Sequence, residues 1–315
     1  MKTKALIIIG MHRSGTSAVS GALAERGVFM GDDLYGPQKG VNDKGFFENS
    51  ALVRFNERLF DELNWSWDDP LASAHKKCEW EKLDKWLPSA VSLIKQEYGK
   101  HAIWGMKDPR TSLLLPFWQK VLAEVDVEPT YIVMMRHPAE VAGSLAKRDQ
   151  FSTDKSLMLW LNYTLSSLVN TAADNRIVVS FDDLMSSPQG QINTIVTHIG
   201  LHVESDSKSD FIDTRLRKQN NRQVSQTPLG TLSESVFNQA LKNADLPGTL
   251  VEQYNQYCDA LSAVLKEHIS DIKKSEVFYR HLFFDAYRTF WWKAILPVKK
   301  VEEFVRKLFK NKPGI

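Results

Sequence analysis

Gly10-Met11-His12-Arg13-Ser14-Gly15-Thr16-Ser17 gathers two glycines, three hydroxyls, an imidazole and a guanidinium within eight residues, a mixture suited to holding an anion. The P-loop pattern G-x-x-x-x-G-K-[ST] is kept at Gly10, Gly15 and Ser17, whereas Thr16 stands where the pattern has its lysine. Unpaired amides at the start of a helix, reinforced by the helix dipole, attract a phosphate-like group. Ser14, Thr16 and Ser17 add hydroxyl donors, and Arg13 adds a permanent charge. The absent lysine, and the lack of an Asp closing a following apolar strand to hold Mg²⁺, argue against ATP or GTP hydrolysis. An ordinary strand-turn-helix with a polar turn is the competing reading.

A second cluster is Arg136-His137-Pro138 with Ser144 eight residues beyond Arg136. With Arg136 at a strand end and Ser144 two turns into the following helix, both can face one anion. Glu140, Ser144 and Arg148 share a helical face at i, i+4 spacing, so Arg148 is placed to lean the same way. A third cluster, Lys107-Asp108-Pro109-Arg110, reads either as part of the same site or as a surface ion pair beside a turn.

The elements that must position these groups alternate between strand and helix. Apolar runs at Ala5 to Ile9, Ala102 to Met106, Thr130 to Met135 and Arg176 to Ser180 read as buried strands. Helical spacing covers Gly15 to Gly27, Ser50 to Leu63, Trp86 to Tyr98, Thr111 to Glu124 and Lys155 to Ala173. Val28 to Asn49, rich in Gly, Asp and Pro, reads as loop. This alternation predicts an α/β fold with a parallel sheet and ligands at the carboxyl ends of its strands, where all three clusters fall. Beyond Ile199 the pattern is helical and weaker, with Leu241 to His268 reading as one or two helices and Arg215 to Arg222 as a basic loop or helix end.

The chain has 315 residues, 43% hydrophobic and 25% charged, with a formal net charge of +2. One α/β domain with helical additions fits that length, and the charge gives no argument for nucleic acid. No apolar run is long enough to span a bilayer, and no secretory signal precedes the first strand. Cys78 and Cys258 have neither metal-type spacing nor the number for a disulfide framework, so no metal is expected and a reducing cytoplasm is the default location.

Taken together, the loop Gly10 to Ser17 resembles the 5′-phosphosulfate loop of sulfotransferases, and Arg136-His137-Pro138-x5-Ser144 resembles their 3′-phosphate motif. Gly45-Phe46-Phe47-Glu48-Asn49, Trp65-x-Trp67-Asp68-Asp69-Pro70 and Trp104-Gly105-Met106-Lys107-Asp108-Pro109-Arg110 are similar to segments of bacterial members. The resemblance spans roughly residues 4 to 200 and implies a three-layer α/β sheet of P-loop NTPase type with added C-terminal helices. It also implies sulfuryl transfer from 3′-phosphoadenosine 5′-phosphosulfate (PAPS), without a metal, to a hydroxyl or amine. His12, Arg13, Ser14, Gly15, Thr16, Ser17, Arg136 and Ser144 are then expected to bind PAPS. Arg13 and Lys107 are expected to stabilise the leaving phosphate, and Glu48 to act as base. Glu48 alternatively caps or precedes the helix from Ser50, and His12 is the rival base by residue type. The loss of the P-loop lysine accords with PAPS, which has no γ-phosphate.

The end of the chain differs in character. From Arg280 to Ile315 it carries nine Lys and Arg against three acids, interleaved with aromatics. We divide the sequence into a domain at 1–275 and a basic aromatic extension at 276–315, with Pro297 expected to split it into two helices. Residues 278–312 suit either an anionic membrane surface, at the inner face, or docking on the domain or on a second copy in a homodimer. The acceptor is unassigned, with a cell-surface glycan or lipid-linked saccharide as the first guess. A P-loop-derived small-molecule kinase and a non-catalytic nucleotide-binding or membrane-associated module are the alternatives.

Overall fold

The computed structural model describes residues 3–38, 42, 44–72, 80–201, 211–213, 222–242 and 246–288. Four strands, β1 (Lys4–Ile9), β2 (Ile103–Lys107), β3 (Glu128–Met135) and β4 (Arg176–Ser180), form a parallel sheet in the order β2-β1-β3-β4. Their continuous apolar runs follow from burial on both faces, which a parallel sheet covered by helices requires. The register pairs Ile7 with Met106 and Tyr131, and Val133 with Val178. The carboxyl ends of the strands, and the charged clusters that follow them, therefore lie along one edge.

One helical layer contains α1 (Thr16–Ala24) and α8 (Pro188–His198). Val19, Ala22 and Leu23 of α1, with Ile192, Ile195 and Val196 of α8, pack with Leu6, Ile8, Ile132, Met134 and Val179 of the sheet. Alternate residues Ile7, Tyr131 and Val133 are buried too, on the face that meets α4 (Leu115–Glu124), α6 (Thr153–Asn170) and the 3₁₀ turn Pro109–Leu114. The result is the expected three-layer α/β arrangement. Every residue of α6 from Ser156 to Leu168 is buried.

The helix expected over Thr111 to Glu124 begins later, at Leu115. Pro116 has no amide hydrogen, so it is accommodated in a first turn and not in a helix interior. The preceding residues instead wind as the 3₁₀ turn, capped by the Asp108 side chain, which accepts from the Arg110 amide at 3.0 Å. The remaining helices are α2 (Ser50–Glu62), α3 (Leu87–Tyr98), α5 (Pro138–Asp149), α7 (Phe181–Ser186), α9 (Pro228–Ala240) and α10 (Gly248–Arg288). Where one or two helices were expected from Leu241 to His268, α10 is a single helix of 41 residues.

The chain divides into two compact units, Met1–Gln256 and Tyr257–Ile315. The first holds the sheet and every charged cluster; the described part of the second is the length of α10 after Gln256. Arg215 to Asn221 of the basic stretch, and the chain from Thr289 including Pro297, lie outside the described residues.

Candidate functional site

The loop after β1 is built by backbone positions that few residues tolerate. Gly10 has φ 138°, and a Cβ there would stand 2.6 Å from the Met134 carbonyl oxygen. Gly15 has φ 99° and lies against the Phe181 ring, where a Cβ would come within 2.7 Å. Arg13 itself is held at φ 70°, a left-handed conformation uncommon for a side chain of this size. Gly15 is the N-cap of α1 and offers no side-chain acceptor, so no cap side chain takes up the first-turn amides of that helix. The Ser14 hydroxyl does not join them: it donates to the Met11 carbonyl at 2.6 Å and closes the loop on itself. Unlike the other expected members of the loop, Ser14 does not line the cavity.

The two anion clusters meet. Arg13 Nε donates to Ser144 Oγ at 2.9 Å, and Arg136 Nη1 donates to the Arg13 carbonyl at 3.0 Å. His12, Arg13, Gly15, Thr16, Ser17, Lys107, Glu48, Arg136, Ser144 and Arg148 line one cavity, closed in part by Phe46, Phe181 and Phe211. All the expected site residues except Ser14 are therefore together. Arg136 comes off the end of β3 and is stacked over Phe181 at 4.2 Å, while the Trp160 indole N–H of α6 holds its carbonyl at 3.0 Å.

Lys107 ends β2 and is 3% exposed, which rules out a surface pair with Asp108. Its ammonium donates to Glu48 Oε1 at 2.5 Å and to Ser17 Oγ at 3.2 Å, so it ties the phosphate loop to the candidate base. Asn49, not Glu48, caps α2, its side chain accepting from the amides of Ala51 and Leu52. Glu48 is left to face the cavity. Asp108 is fully buried and accepts from Arg110 Nη1 at 2.9 Å and from Asn56 Nδ2 at 2.9 Å. Despite the cost of burial, the Asp108 and Glu48 carboxylates hold the Arg110 guanidinium above its usual pKa.

Positive charge accumulates. The Arg13 guanidinium is pushed down from its usual pKa, first by burial and then by Arg148 and Arg136. His12 lies well below the ordinary imidazole value of 6.5, through burial first and then through Arg110, Arg148, Lys107 and Arg13. Its ring packs 4.7 Å from that of Trp67, and its Nε2 is buried with no hydrogen-bond partner. A neutral imidazole follows, and with it a pH dependence. The unfolded chain takes a proton near pH 6.5 that folded His12 refuses, so its contribution to stability is complete above that pH and is lost as pH falls below it. In His12→Gln, the slope of unfolding free energy against pH below 6.5 should flatten by up to about 1.4 kcal/mol per pH unit, measured by urea titration at several pH values. An unchanged slope would show that His12 does not titrate differently in the two states.

Sequence reasoning assigned no role in this site to several residues that the structure brings to it. Glu140, with its side chain fully shielded, accepts from Arg136 Nε at 3.0 Å and from Arg222 Nε at 3.1 Å. Arg222 also pairs with Asp182 at the start of α7. The i, i+4 spacing from Arg136 to Glu140 was the available signal, but it pointed equally well to a surface pair. Phe46, Phe181 and Trp67, which carries Arg148 5.3 Å above its ring, gave no signal distinguishable from core aromatics. His137 caps α5 through Nδ1, a supporting role for the turn. Among the described residues no group of His, Cys, Asp and Glu gathers as a metal site.

Solved structures with similar folds include the sulfotransferase domain of an olefin synthase from Synechococcus PCC 7002. It is 15% identical, with 83% of this chain and 96% of that one covered and a TM-score of 0.41. Sulfotransferase STF9 from Mycobacterium avium is 12% identical, with 78% of each chain covered and a TM-score of 0.45. Sulfotransferase STF1 from Mycobacterium tuberculosis is 16% identical, with 76% of each covered and a TM-score of 0.40. No curated protein matches the sequence. The profile of the sulfotransferase family matches residues 5–205, a span that takes in the phosphate loop, Glu48, Lys107, Arg136 and Ser144. By that match the chain belongs to the sulfotransferase family.

Proposed function

We propose that the protein transfers a sulfuryl group from PAPS to a hydroxyl or amine of an acceptor. The observation that carries this reading is the direct bonding of the phosphate loop to the second anion cluster, through Arg13 to Ser144 and Arg136 to the Arg13 carbonyl. A ligand with two separated anionic groups suits such a cavity better than one with a single phosphate chain. The residues fit PAPS: first-turn amides of α1, with Thr16, Ser17 and Arg13, for the 5′-phosphosulfate, and Arg136 with Ser144 for the 3′-phosphate. PAPS supplies a sulfuryl group on a phosphate leaving group, chemistry that needs in-line placement and cationic stabilisation but no metal.

Arg13 and Lys107 offset negative charge developing on the leaving phosphate. Glu48 accepts the proton of the acceptor, and Lys107, bonded to it at 2.5 Å, fixes the direction of its Oε1. Phe46 and Phe181 restrict water at the cavity wall. A second cavity of about 470 Å³, lined by Tyr35, Pro37, Val53, Glu57 and Arg110 among others, shares Phe46 and Glu48 with the first. We assign the acceptor to that side, so that its hydroxyl meets Glu48 from across the carboxylate. The mixture of ring, proline and polar side chains suits a saccharide or phenolic acceptor.

Calorimetry with 3′,5′-adenosine bisphosphate (PAP) tests the donor assignment. Arg13→Ala and Arg136→Ala each remove charge-assisted hydrogen bonds worth about 1.5–3 kcal/mol, so each should weaken PAP roughly tenfold to more than a hundredfold. Unaltered PAP affinity in both variants would sink the assignment. Incubation with ³⁵S-labelled PAPS and saccharide, lipid and peptide acceptors reads the reaction, and phosphorylation from ATP instead would favour a kinase.

A further inference from the structure

The wall of the second cavity brings two carboxylates to one guanidinium. Around an antiparallel bridge between Leu34 and Asn49, the Tyr35 amide donates to the Glu48 carbonyl at 2.9 Å and the Phe46 amide to the Tyr35 carbonyl at 3.2 Å. This fold-back sets Tyr35 and Gln38 along the cavity with Glu48. Helix α2 contributes Val53 and Glu57, four residues apart on one face. The Glu57 carboxylate accepts from Arg110 Nη2 through Oε1 at 3.3 Å, whereas its Oε2 has no partner among the described residues.

Arg110 is matched more than once. Its Nη1 bonds to the buried Asp108 at 2.9 Å and lies 3.9 Å from Glu48 Oε2, while Nη2 holds Glu57. With Lys107, which is bonded to Glu48, three carboxylates meet two cations, a surplus of one negative charge. On the PAPS reading the cations of the first cavity face the donor's own anionic groups, so they do not offset that surplus. An anionic acceptor would be set against Glu48 and Glu57 together. A neutral one would leave Glu57 Oε2 with water as its only donor. A protonated amine gives that oxygen a charge-assisted hydrogen bond, and Tyr35 is a residue type whose ring attracts a cation.

We infer that the acceptor is an amino alcohol or an amino phenol, whose hydroxyl meets Glu48 while a protonated amine nearby is held by Glu57. The inference rests on the reading of the second cavity as the acceptor side. Glu48 and Glu57 approach the same guanidinium, so the hydroxyl and the ammonium belong to one small molecule or one sugar residue. In the transfer the acceptor oxygen bonds to sulfur as the bond from sulfur to the phosphate oxygen breaks. The hydroxyl proton passes to Glu48, and the ammonium keeps its protons throughout. Glu57 therefore sets specificity and takes no part in proton transfer.

The test is ligand-observed NMR titration of the full chain at low salt, with and without PAP. Tyramine, para-ethylphenol and para-hydroxyphenylpropionate are phenols of similar size carrying positive, no and negative charge, and glucosamine beside glucose repeats the comparison with sugars. Tyramine should bind about fivefold more tightly than para-ethylphenol, the upper range for a partly exposed ion pair, and the propionate most weakly. Glu57→Gln should erase the advantage of tyramine and glucosamine, and Glu57→Lys should reverse the order in favour of the propionate. The Glu57 side chain is 57% exposed, and circular dichroism checks that each variant is folded. With ³⁵S-labelled PAPS the same order should appear in the KM for the acceptor. Cationic probes that bind no more tightly than the neutral ones, or a preference that both variants leave as it is in the parent, overturn the inference. PAP binding without the charge preference strikes the acceptor class alone. A Glu57-dependent preference in a protein that does not bind PAP strikes the donor assignment and leaves the amine site standing.

Discussion

Glu48→Gln should lower sulfuryl transfer by roughly 10²- to 10⁴-fold, the usual contribution of a positioned general base, while PAP still binds. The expected binding result is informative in its own right. In the parent, Glu48 neutralises Lys107, whose side chain is 2% exposed. The amide of Gln keeps an acceptor for that ammonium but no charge, so Lys107 should turn more of its charge to an anion in the cavity, and PAP affinity should hold or rise. Removing a base and removing a structural partner are thereby separated. A base loses turnover at constant or tighter PAP binding, whereas a residue needed only to hold Lys107 would lose binding and turnover together. Single-turnover measurements with ³⁵S-labelled PAPS, beside calorimetry, read both. Turnover within twofold of the parent would remove Glu48 from the mechanism.

Glu140→Ala should be the most destabilising change in the site. Its carboxylate sits between Arg136 and Arg222, and the Arg136 side chain is itself only 9% exposed. Deleting one member of a buried ion pair leaves an uncompensated charge, at a cost of about 3–5 kcal/mol. Here the stranded guanidinium also faces Arg13, which adds to the penalty. Urea unfolding should show a lower midpoint with little change in slope. PAP should then stabilise the variant by a larger thermal shift than it gives the parent, since an anion supplied from solution replaces the missing carboxylate. A midpoint within the scatter of the parent would show that Arg136 does not depend on Glu140.

The phosphate loop, the four strands and the placement of each charged cluster at a strand's carboxyl end were legible in the sequence. Each is written locally: a β-branched run, then glycines at the turn, then small residues where α1 meets the sheet. The start of α4 was misread because leucines at helical spacing hid the restriction imposed by Pro116. Residues 181–198 gave no helical reading, since α7 has six residues, too few for a periodic pattern, and α8 opens on Pro188. In the site, the spacing from Arg136 to Ser144 indicated where they would point. It could not indicate that Arg13 reaches across to Ser144, a bond joining residues 131 positions apart. Lys107 meets Glu48 across 59 positions, and Arg222 meets Glu140 across 82. Such pairs are fixed by how the layers stack, and no local pattern encodes them.

The hydrogen bond from Arg136 to the carbonyl of Arg13 has a thermodynamic consequence. Arg136, proposed to receive one anionic group, donates to the backbone of Arg13, proposed to receive the other, which is held in a left-handed conformation. The two half-sites are then energetically coupled, and truncations of Arg13 and Arg136 should not be additive. If the proposed PAPS assignment holds, a ligand filling only one of them should leave the other half's ordering cost unshared, and discrimination between adenosine nucleotides with one and with two phosphorylated positions should exceed the contacts of the extra phosphate. On that reading the loop, which lacks a lysine to enforce affinity, would obtain its selectivity through this cooperativity.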